Sequence, residues 1–453
     1  MDRRDFLKSG LAGAIAVSTA GPAELLAQEV RAGVIVPGEK YSDGKAGDVS
    51  NGVEEHLNVK GYVRERSHKI PVVEEVDVVV VGGGSAGVSA AVCAAREGAS
   101  VLLVEKANFL GGLWTGGLVL PVLATHGKGK TKDWDKVALG YCSEICDTLF
   151  EMDAAIRPLN PVVDPEAAKY LLDKSIYDAG VKILYNATAA GVTMSSDRIE
   201  SILIDCVTGR IAIKCKFVID ASGDGLVFNW TGDPHEARRY HMSSSYRSYG
   251  SDSKKAGMAT PIEGVRFATV GTRDAIDGLD VFLTSATQQQ HRFKAWEKFK
   301  ELRKDPDCPK AYLMEMAPVT GIRVTRVLDS MYNVTLEESM EWTSYPDVIG
   351  MSGVCDPFEY KGRWITKHDR PVWQIPYRAL IPKQTKNLLV AGRCFGYDQG
   401  ITWDAREIST CMVTGQAAGT AAALSVADRC ASSELDVKKL QSHLRKAGVR
   451  LDF

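Results

Sequence analysis

The chain has 453 residues, 45% of them hydrophobic and 25% charged, with a formal net charge of -2. That balance supports a large core and two intimately joined domains, and the scattered lysines and arginines lack the basic stripe of a nucleic-acid binder. Beyond the N-terminal segment there is no run of about 18 apolar residues, so the mature chain is expected to hold no membrane-spanning helix.

The first residues are Met1-Asp2-Arg3-Arg4-Asp5-Phe6-Leu7-Lys8, followed by a mildly apolar stretch, Leu11 to Ala20. Paired arginines before x-Phe-Leu-Lys resemble the bacterial twin-arginine export signal. The apolar stretch is too short to span a bilayer and suits the core of such a signal. Residues 1–28 are therefore expected to be an address, cleaved after Ala20 or nearer Ala27. The resemblance implies the twin-arginine translocase as a partner during export. It also implies a folded, cofactor-loaded protein in the periplasm or cell envelope. The first cysteine is Cys93, so a lipoprotein anchor after the apolar stretch is not expected. Residues 29–75 are polar and Gly-rich and read as a linker or edge segment.

At Val76 the pattern changes. Val76 to Val81 is a β-branched run, as expected of a central parallel strand buried on both faces. A turn over Gly82 to Gly87, an Ala-rich helix over Ser85 to Gly98 and a second strand over Ser100 to Val104 complete a βαβ unit. Gly82-Gly83-Gly84-Ser85-Ala86-Gly87 contains GxGxxG. Gly82 permits the tight turn, Gly84 lets a pyrophosphate approach the backbone, and Gly87 lets the helix pack against the strand. The phosphates then meet free N–H groups at the positive end of the helix, beside Ser85 and Ala86. Glu105 lies 18 residues past Gly87 at the end of the second strand, where a carboxylate accepts from ribose hydroxyls.

A second glycine-rich loop, Gly111-Gly112-Leu113-Trp114-Thr115-Gly116-Gly117, follows Glu105-Lys106, and His126 comes after it. Val218 to Asp220 is a strand leading into the polar turn Ala221-Ser222-Gly223-Asp224-Gly225. Residues 231–384 carry more aromatics, more charge and Pro-bounded short strands, and read as an inserted α+β substrate or cap domain. Asn387 to Ala391 returns to a buried strand. It is followed by Gly392-Arg393-Cys394, a polar loop, and a small-residue helix from Thr410 to Ala423 that contains Gly415 and Gln416.

Taken together, these segments resemble the bacterial FAD-dependent oxidoreductase family, with a glutathione-reductase-type FAD-binding fold. The resemblance covers roughly residues 76–430. It implies an α/β protein with a discontinuous Rossmann-like FAD-binding domain (76–230 and 385–430), the insertion at 231–384, and a C-terminal tail over 431–453. It implies FAD as cofactor, held by Gly82, Gly84, Ser85, Ala86, Gly87, Glu105, Lys106, Gly111, Gly112, Thr115, Asp220, Gly223, Gly392, Arg393, Gly415 and Gln416. Asp220 is expected to back the cofactor domain. The helix after Arg393 is expected to aim its N-terminus at the flavin.

A flavin dehydrogenase needs a placed substrate, a proton acceptor and a tuned ring. The loop between Cys394 and Thr410 offers Asp398 and Arg406, either as catalytic groups or as a structural ion pair. Gln399 stands where many members of the family carry His. Arg323, in Gly321-Ile322-Arg323-Val324-Thr325-Arg326, is a candidate for charge stabilisation or a surface salt bridge. His126 is a candidate base or covalent flavin link. The ten cysteines show no CxxC, so neither a metal site nor a redox pair is expected, and Cys394 and Cys411 read as packing. No second GxGxxG follows, so electrons are expected to leave by quinone, oxygen or a redox protein. Three activities stay open: oxidation of a small polar substrate, reduction fed by a membrane donor, and a non-redox lyase or hydratase.

Overall fold

In a computed structural model, residues 52–63, 68–129, 134–250, 253–353, 358–361, 363–365 and 371–453 are described. The expected export signal, and residues 29–51 and 64–67 of the expected linker, lie outside them. The rest belongs to one compact unit.

The first βαβ unit consists of β1 (Val72–Val81), α1 (Ser85–Arg96) and β2 (Val101–Val104). Val78, Val79 and Val80 are fully buried because β1 has neighbours on both edges and helices on its face. Next come α2 (Tyr141–Glu151), α3 (Pro165–Asp178) and β3 (Lys182–Leu184). The strands β4 (Thr188–Ser195), β5 (Arg198–Cys206) and β6 (Gly209–Asp220) form an antiparallel run. A short helix, α4 (Leu226–Thr231), follows β6.

The chain then leaves this sheet. A four-stranded antiparallel sheet forms from β7 (Ser243–Tyr249), β8 (Met258–Ala259), β9 (Val265–Gly271) and β10 (Tyr312–Met316), in the order β8-β9-β7-β10. The 22-residue helix α5 (Val281–Leu302) packs on it. The chain returns as β11 (Leu388–Val390), α6 (Ile408–Asp428) and α7 (Val437–Lys446). Helix α6 is longer at both ends than the pattern of small residues implied.

The main sheet runs β3-β2-β1-β6, all parallel. The long strand β6 divides its far edge between two partners. Its first half pairs antiparallel with β5, and its last three residues pair parallel with β11. Register brings Val104, Val81, Asp220 and Val390 into one row. Helix α6 lies along α1. A Cβ at Gly415 would collide with the carbonyl of Ala86, and one at Gly419 with that of Ala90.

Candidate functional site

The row Val104-Val81-Asp220-Val390 ends four parallel strands at one level. Chain order reverses there: β2 and β3 lie to one side of β1, and β6 and β11 to the other. Connections on the two sides diverge, so a crevice opens above the carboxyl ends. A solvent-open cleft of about 970 Å³ lies there. It is lined by the residues just past each strand: Gly82 and Gly84 after β1, Glu105 to Ala107 after β2, Ala221 to Asp224 after β6, and Gly392 and Arg393 after β11.

The first wall is the glycine loop. Gly82 has φ of 102° and donates its N–H to the Val104 carbonyl at 2.8 Å. Gly84 is the N-cap of α1 and brings no side-chain cap, so the amides of the first turn, at Ser85, Ala86 and Gly87, point out of the helix without an intrahelical acceptor. A Cβ on Gly84 would meet nothing within 4 Å, because that side faces the cleft; one on Gly87 would strike the Gly82 carbonyl. Glu105 is buried and held at both oxygens, accepting from Gly83 N–H at 2.6 Å and Ala107 N–H at 2.7 Å. Lys106 beside it is exposed and lines the cleft.

The second glycine loop lies across this wall. Gly111 donates its N–H to the Gly83 carbonyl at 2.8 Å, and the Thr115 hydroxyl donates to the Leu110 carbonyl. Gly111, Gly112 and Trp114 line the cleft, whereas Thr115 is buried behind it. The indole Nε1 of Trp114 is buried without an acceptor among the described residues.

The opposite wall is cross-braced. Arg393 donates from Nε to the Gly223 carbonyl at 2.6 Å, from Nη1 to the Ile322 carbonyl at 2.5 Å and from Nη2 to Asp224 Oδ1 at 2.7 Å. Arg326 Nη1 donates to the Asp224 carbonyl at 3.1 Å, and Thr325 Oγ1 to the Asp224 carboxylate at 3.0 Å. Burial opposes ionisation of Asp224, but the charges of Arg393 and Lys106 outweigh it and hold the carboxyl below the usual carboxylate range. Asp220 sits behind this wall with no exposure. It accepts from Ser222 Oγ at 2.6 Å and from Val227 N–H at 2.8 Å, which caps α4, and burial raises its carboxyl.

The N-terminus of α6 also borders the cleft. Arg406, Ile408 and Cys411 line it, and Glu407, the N-cap, makes no side-chain cap. The guanidinium of Arg406 lies 5.5 Å from the Trp403 ring and 5.8 Å from the Tyr240 ring, with Glu407 at 3.4 Å. Gly415 and Gln416 lie deeper in the helix and off the cleft. Gly415 is the close contact to α1, and Gln416 Oε1 accepts from Tyr141 N–H at 2.9 Å.

The catalytic candidates fall in different places. Only Arg406 lines the cleft. Asp398 does not pair with it: Oδ2 accepts from Leu336 N–H at 3.0 Å, and Oδ1 caps a 3-10 turn through Ile401 N–H at 3.3 Å. Arg323 is half-buried next to Ile322, which does line the cleft. His126 faces a second cavity with Thr125, Lys136, Cys142 and Cys146; its Nδ1 lies 2.8 Å from Thr125 Oγ1, and burial lowers its pKa. The hairpin between His126–Lys128 and Trp134–Lys136 holds it there, a pairing that sequence spacing does not reveal. All nine cysteines among the described residues are free thiols, and burial pushes Cys411 up to about 12.

Sequence reasoning missed three cleft features: the Asp224 carboxylate, the Trp114 indole, and the strap Val319-Thr320-Ile322 that follows β10. Asp224 and Trp114 stood inside motifs already marked. Val319 and Thr320 carry no local signal, and Ile322 stands in the stretch Gly321 to Arg326, which was marked for Arg323.

This arrangement fits FAD. The unobstructed Gly84 face and the outward amides beside it suit a pyrophosphate, the tethered Glu105 suits a ribose, and the orphaned indole N–H of Trp114 awaits an acceptor inside the cleft.

The model of the FAD dependent oxidoreductase family matches residues 77–247 and 233–444. Thiamine thiazole synthase of Methanococcus vannielii is 30% identical over 161 residues, which cover 33% of this chain and 56% of that protein. Digeranylgeranylglycerophospholipid reductase 1 of Methanothermobacter thermautotrophicus is 30% identical over 193 residues, covering 39% of this chain and 46% of that protein. The chain thus spans about half the length of these curated relatives. The crystal structure of a geranylgeranyl bacteriochlorophyll reductase-like protein from Thermoplasma acidophilum is 16% identical with a TM-score of 0.46, covering 82% of this chain and 84% of that one.

Proposed function

The chain belongs to the FAD-dependent oxidoreductase family, and from that premise we propose that it oxidises a small polar organic substrate where α6 borders the cleft. It is an enzyme and FAD is its cofactor. The observation that carries the substrate's placement is that Arg406, Ile408 and Cys411, at the N-terminus of α6, line the same cleft as the glycine loop and Glu105.

Bound FAD supplies the two-electron redox chemistry. The first-turn amides of α1 hold its phosphates, Glu105 orients the adenosine ribose, and the Arg393–Asp224 brace keeps the opposite wall rigid. The positive end of α6 and the guanidinium of Arg406 favour negative charge beside them, which draws electron density toward the acceptor side of the reaction. Arg406 also orients the substrate's polar group. Cys411 stays a protonated thiol there because burial raises it.

The reverse direction is a second reading. It is favoured by the reductases among the relatives, whose names specify a lipid substrate. In that reading a quinone or another membrane donor supplies the electrons. The proposal also includes a glutathione-reductase-type FAD fold, bacterial origin and twin-arginine export to the periplasm, the last resting on Arg3-Arg4 and Leu11 to Ala20. A native N-terminus that begins near residue 21 or 28, read by mass spectrometry, would support export.

The test is an anaerobic absorption titration of the purified holoprotein with sugars, polyols, amines and hydroxy acids. Bleaching by one class is the expected result. Oxidised flavin throughout, together with rapid reoxidation of chemically reduced protein by an organic acceptor, would replace the first reading with the second.

A further inference from the structure

We propose that the outer face of α5 is a docking surface for an anionic lipid bilayer.

Helix α5 buries polar side chains in its first half and exposes aromatic ones on its outer face. Its inner face buries Thr287, Gln288 and His291, followed by Ala295, Phe299 and Leu302. Its outer face carries Phe282, 76% exposed, Phe293, 68% exposed, and Trp296, 48% exposed. These three lie 11 and 14 residues apart along the helix, which is three and four turns, so they form one stripe. Three large aromatic side chains in one exposed stripe mark a surface that something apolar covers.

The charge around the stripe names the occupant. Residues 281–304 carry six basic side chains against two acidic ones. Both acids are used within the helix surface: Glu297 pairs with Lys300 at 2.7 Å and Glu301 with Lys304 at 2.6 Å. Arg292, Lys294, Lys298 and Arg303 are exposed and make no ion pair among the described residues. At about 100° per residue, Arg292 and Arg303 flank the aromatic stripe along one side, whereas Lys294 lies well round the helix from it and Lys298 lies near the opposite side. A second copy docked through the same face would bring the flanking Arg292 and Arg303 against their own images. An anionic lipid surface accepts both, while the Phe and Trp rings sit at headgroup depth.

Docking there would also place the cleft. Gln288 accepts from Thr320 Oγ1 at 2.6 Å and donates to the Ala317 carbonyl at 3.3 Å. Thr320 lines the cleft, so the inner side of the docking helix holds one wall of the flavin site. A bilayer at α5 brings lipid-soluble electron carriers or substrates to that wall. The docking itself rests on α5 alone and stands whether or not the proposed oxidation is correct.

The experiment is flotation of the full FAD-loaded chain with large unilamellar vesicles, either pure phosphatidylcholine or a mixture with phosphatidylglycerol. Wild type is expected to float with the anionic vesicles and to lose binding as salt screens the cations. Phe293→Glu/Trp296→Glu should weaken the partition at least about tenfold. Arg292→Gln/Arg303→Gln should weaken it on anionic vesicles roughly tenfold and leave any binding to neutral ones unchanged. Flavin absorbance and melting temperature equal to wild type would show that the variants fold. Because every variant keeps residues 1–51, the difference between chains reads α5 and not the N-terminal apolar segment. Binding undiminished by the aromatic pair would overturn the proposal. So would a wild-type dimer that the same pair dissociates in sedimentation velocity while no variant changes vesicle binding.

Discussion

At the row of strand ends, Val104, Val81, Asp220 and Val390 are each buried, and within two residues of each the chain faces the cleft. In the second layer, α5 does the reverse, burying Thr287, Gln288 and His291 and exposing Phe282, Phe293 and Trp296. The first region obeys short-range rules. A run of β-branched residues, a glycine turn and a small-residue helix each favour one local conformation, and all agree with the global fold. The second region satisfies long-range demands. Its buried Gln288 holds the strap through Ala317 and Thr320, and its exposed aromatics serve a surface. The two regions should therefore fail differently, the first by volume and the second by charge.

The most damaging change should come from adding volume between α1 and α6. Gly415→Val places a branched side chain against the Ala86 carbonyl, where even a Cβ collides. Both helices sit on the main sheet and cannot yield independently. A loss of about 3 kcal/mol or more is expected in urea denaturation, with flavin released at lower denaturant than in wild type. Unchanged stability would mean that the two helices do not pack as closely as the glycines allow.

The second layer should instead respond to pH. His291 is fully buried, and burial with the neighbouring charge of Lys294 lowers it from its ordinary 6.5 to about 4. Its folded pKa lies below its unfolded one, so between those values the unfolded chain takes up a proton that the folded chain refuses. Stability is then unaffected above 6.5 and falls as pH drops toward about 4. The loss should reach up to about 3 kcal/mol. His291→Leu should flatten this part of the stability profile measured by thermal melts across pH. Identical profiles for the two proteins would remove His291 from the account.

Arg393 tests the rigidity of the cleft wall. Arg393→Ala removes donors from Gly223, Ile322 and Asp224 at once and leaves the Asp224 carboxylate without its closest cation. Arg393 is 14% exposed and Asp224 23%, so solvent moderates the cost, and about 2 kcal/mol is expected. FAD affinity, followed by fluorescence, should fall with it. Arg393→Lys restores the charge but not the three-way fork and should recover only part of both.

Glu105 tests the other wall. Glu105→Gln keeps one acceptor oxygen for the two amides the carboxylate serves, at Gly83 and Ala107, and removes the charge. Leaving one buried amide without its acceptor should lower stability by about 1–3 kcal/mol in thermal melts, and the distorted wall should raise the FAD dissociation constant about tenfold.

The contrast also explains what could be read from the residues alone. The unit β1-α1-β2 was legible because each element declares itself within a dozen residues. Helix α5 was not, because its polar inner face breaks the apolar period by which helices are recognised. The four-stranded sheet depends on pairings such as Tyr246 with Ala268 and with Met316, which no local pattern encodes. The cofactor cleft was legible in outline, since its lining follows strand ends carrying glycine motifs. Asp220, Gly415 and Gln416 belong to the same motifs but support the cleft from behind. In the loop before α6, chemistry-bearing residue types were the only guide, and residue type does not distinguish a base from a cap.

Asp398 is where that ambiguity can be resolved. Its carboxylate accepts from Leu336, which is 62 residues away in sequence, and from Ile401 at the start of a 3-10 turn. Both oxygens are thereby engaged with backbone amides, and neither lines the cleft. A cap of this kind contributes about 1 kcal/mol, so Asp398→Ala should cost that much in thermal stability. Asp398→Asn keeps one acceptor oxygen and should cost less. The discriminating measurement is the rate of flavin reduction by the substrate, or of reoxidation by the acceptor, in stopped flow. If Asp398 only holds the loop, Asp398→Asn should leave that rate within about threefold of wild type, and its pH dependence unmoved. A drop of a hundredfold or more, with the acidic limb of the pH profile lost, would make Asp398 the proton acceptor and require the loop to reorganise when substrate enters.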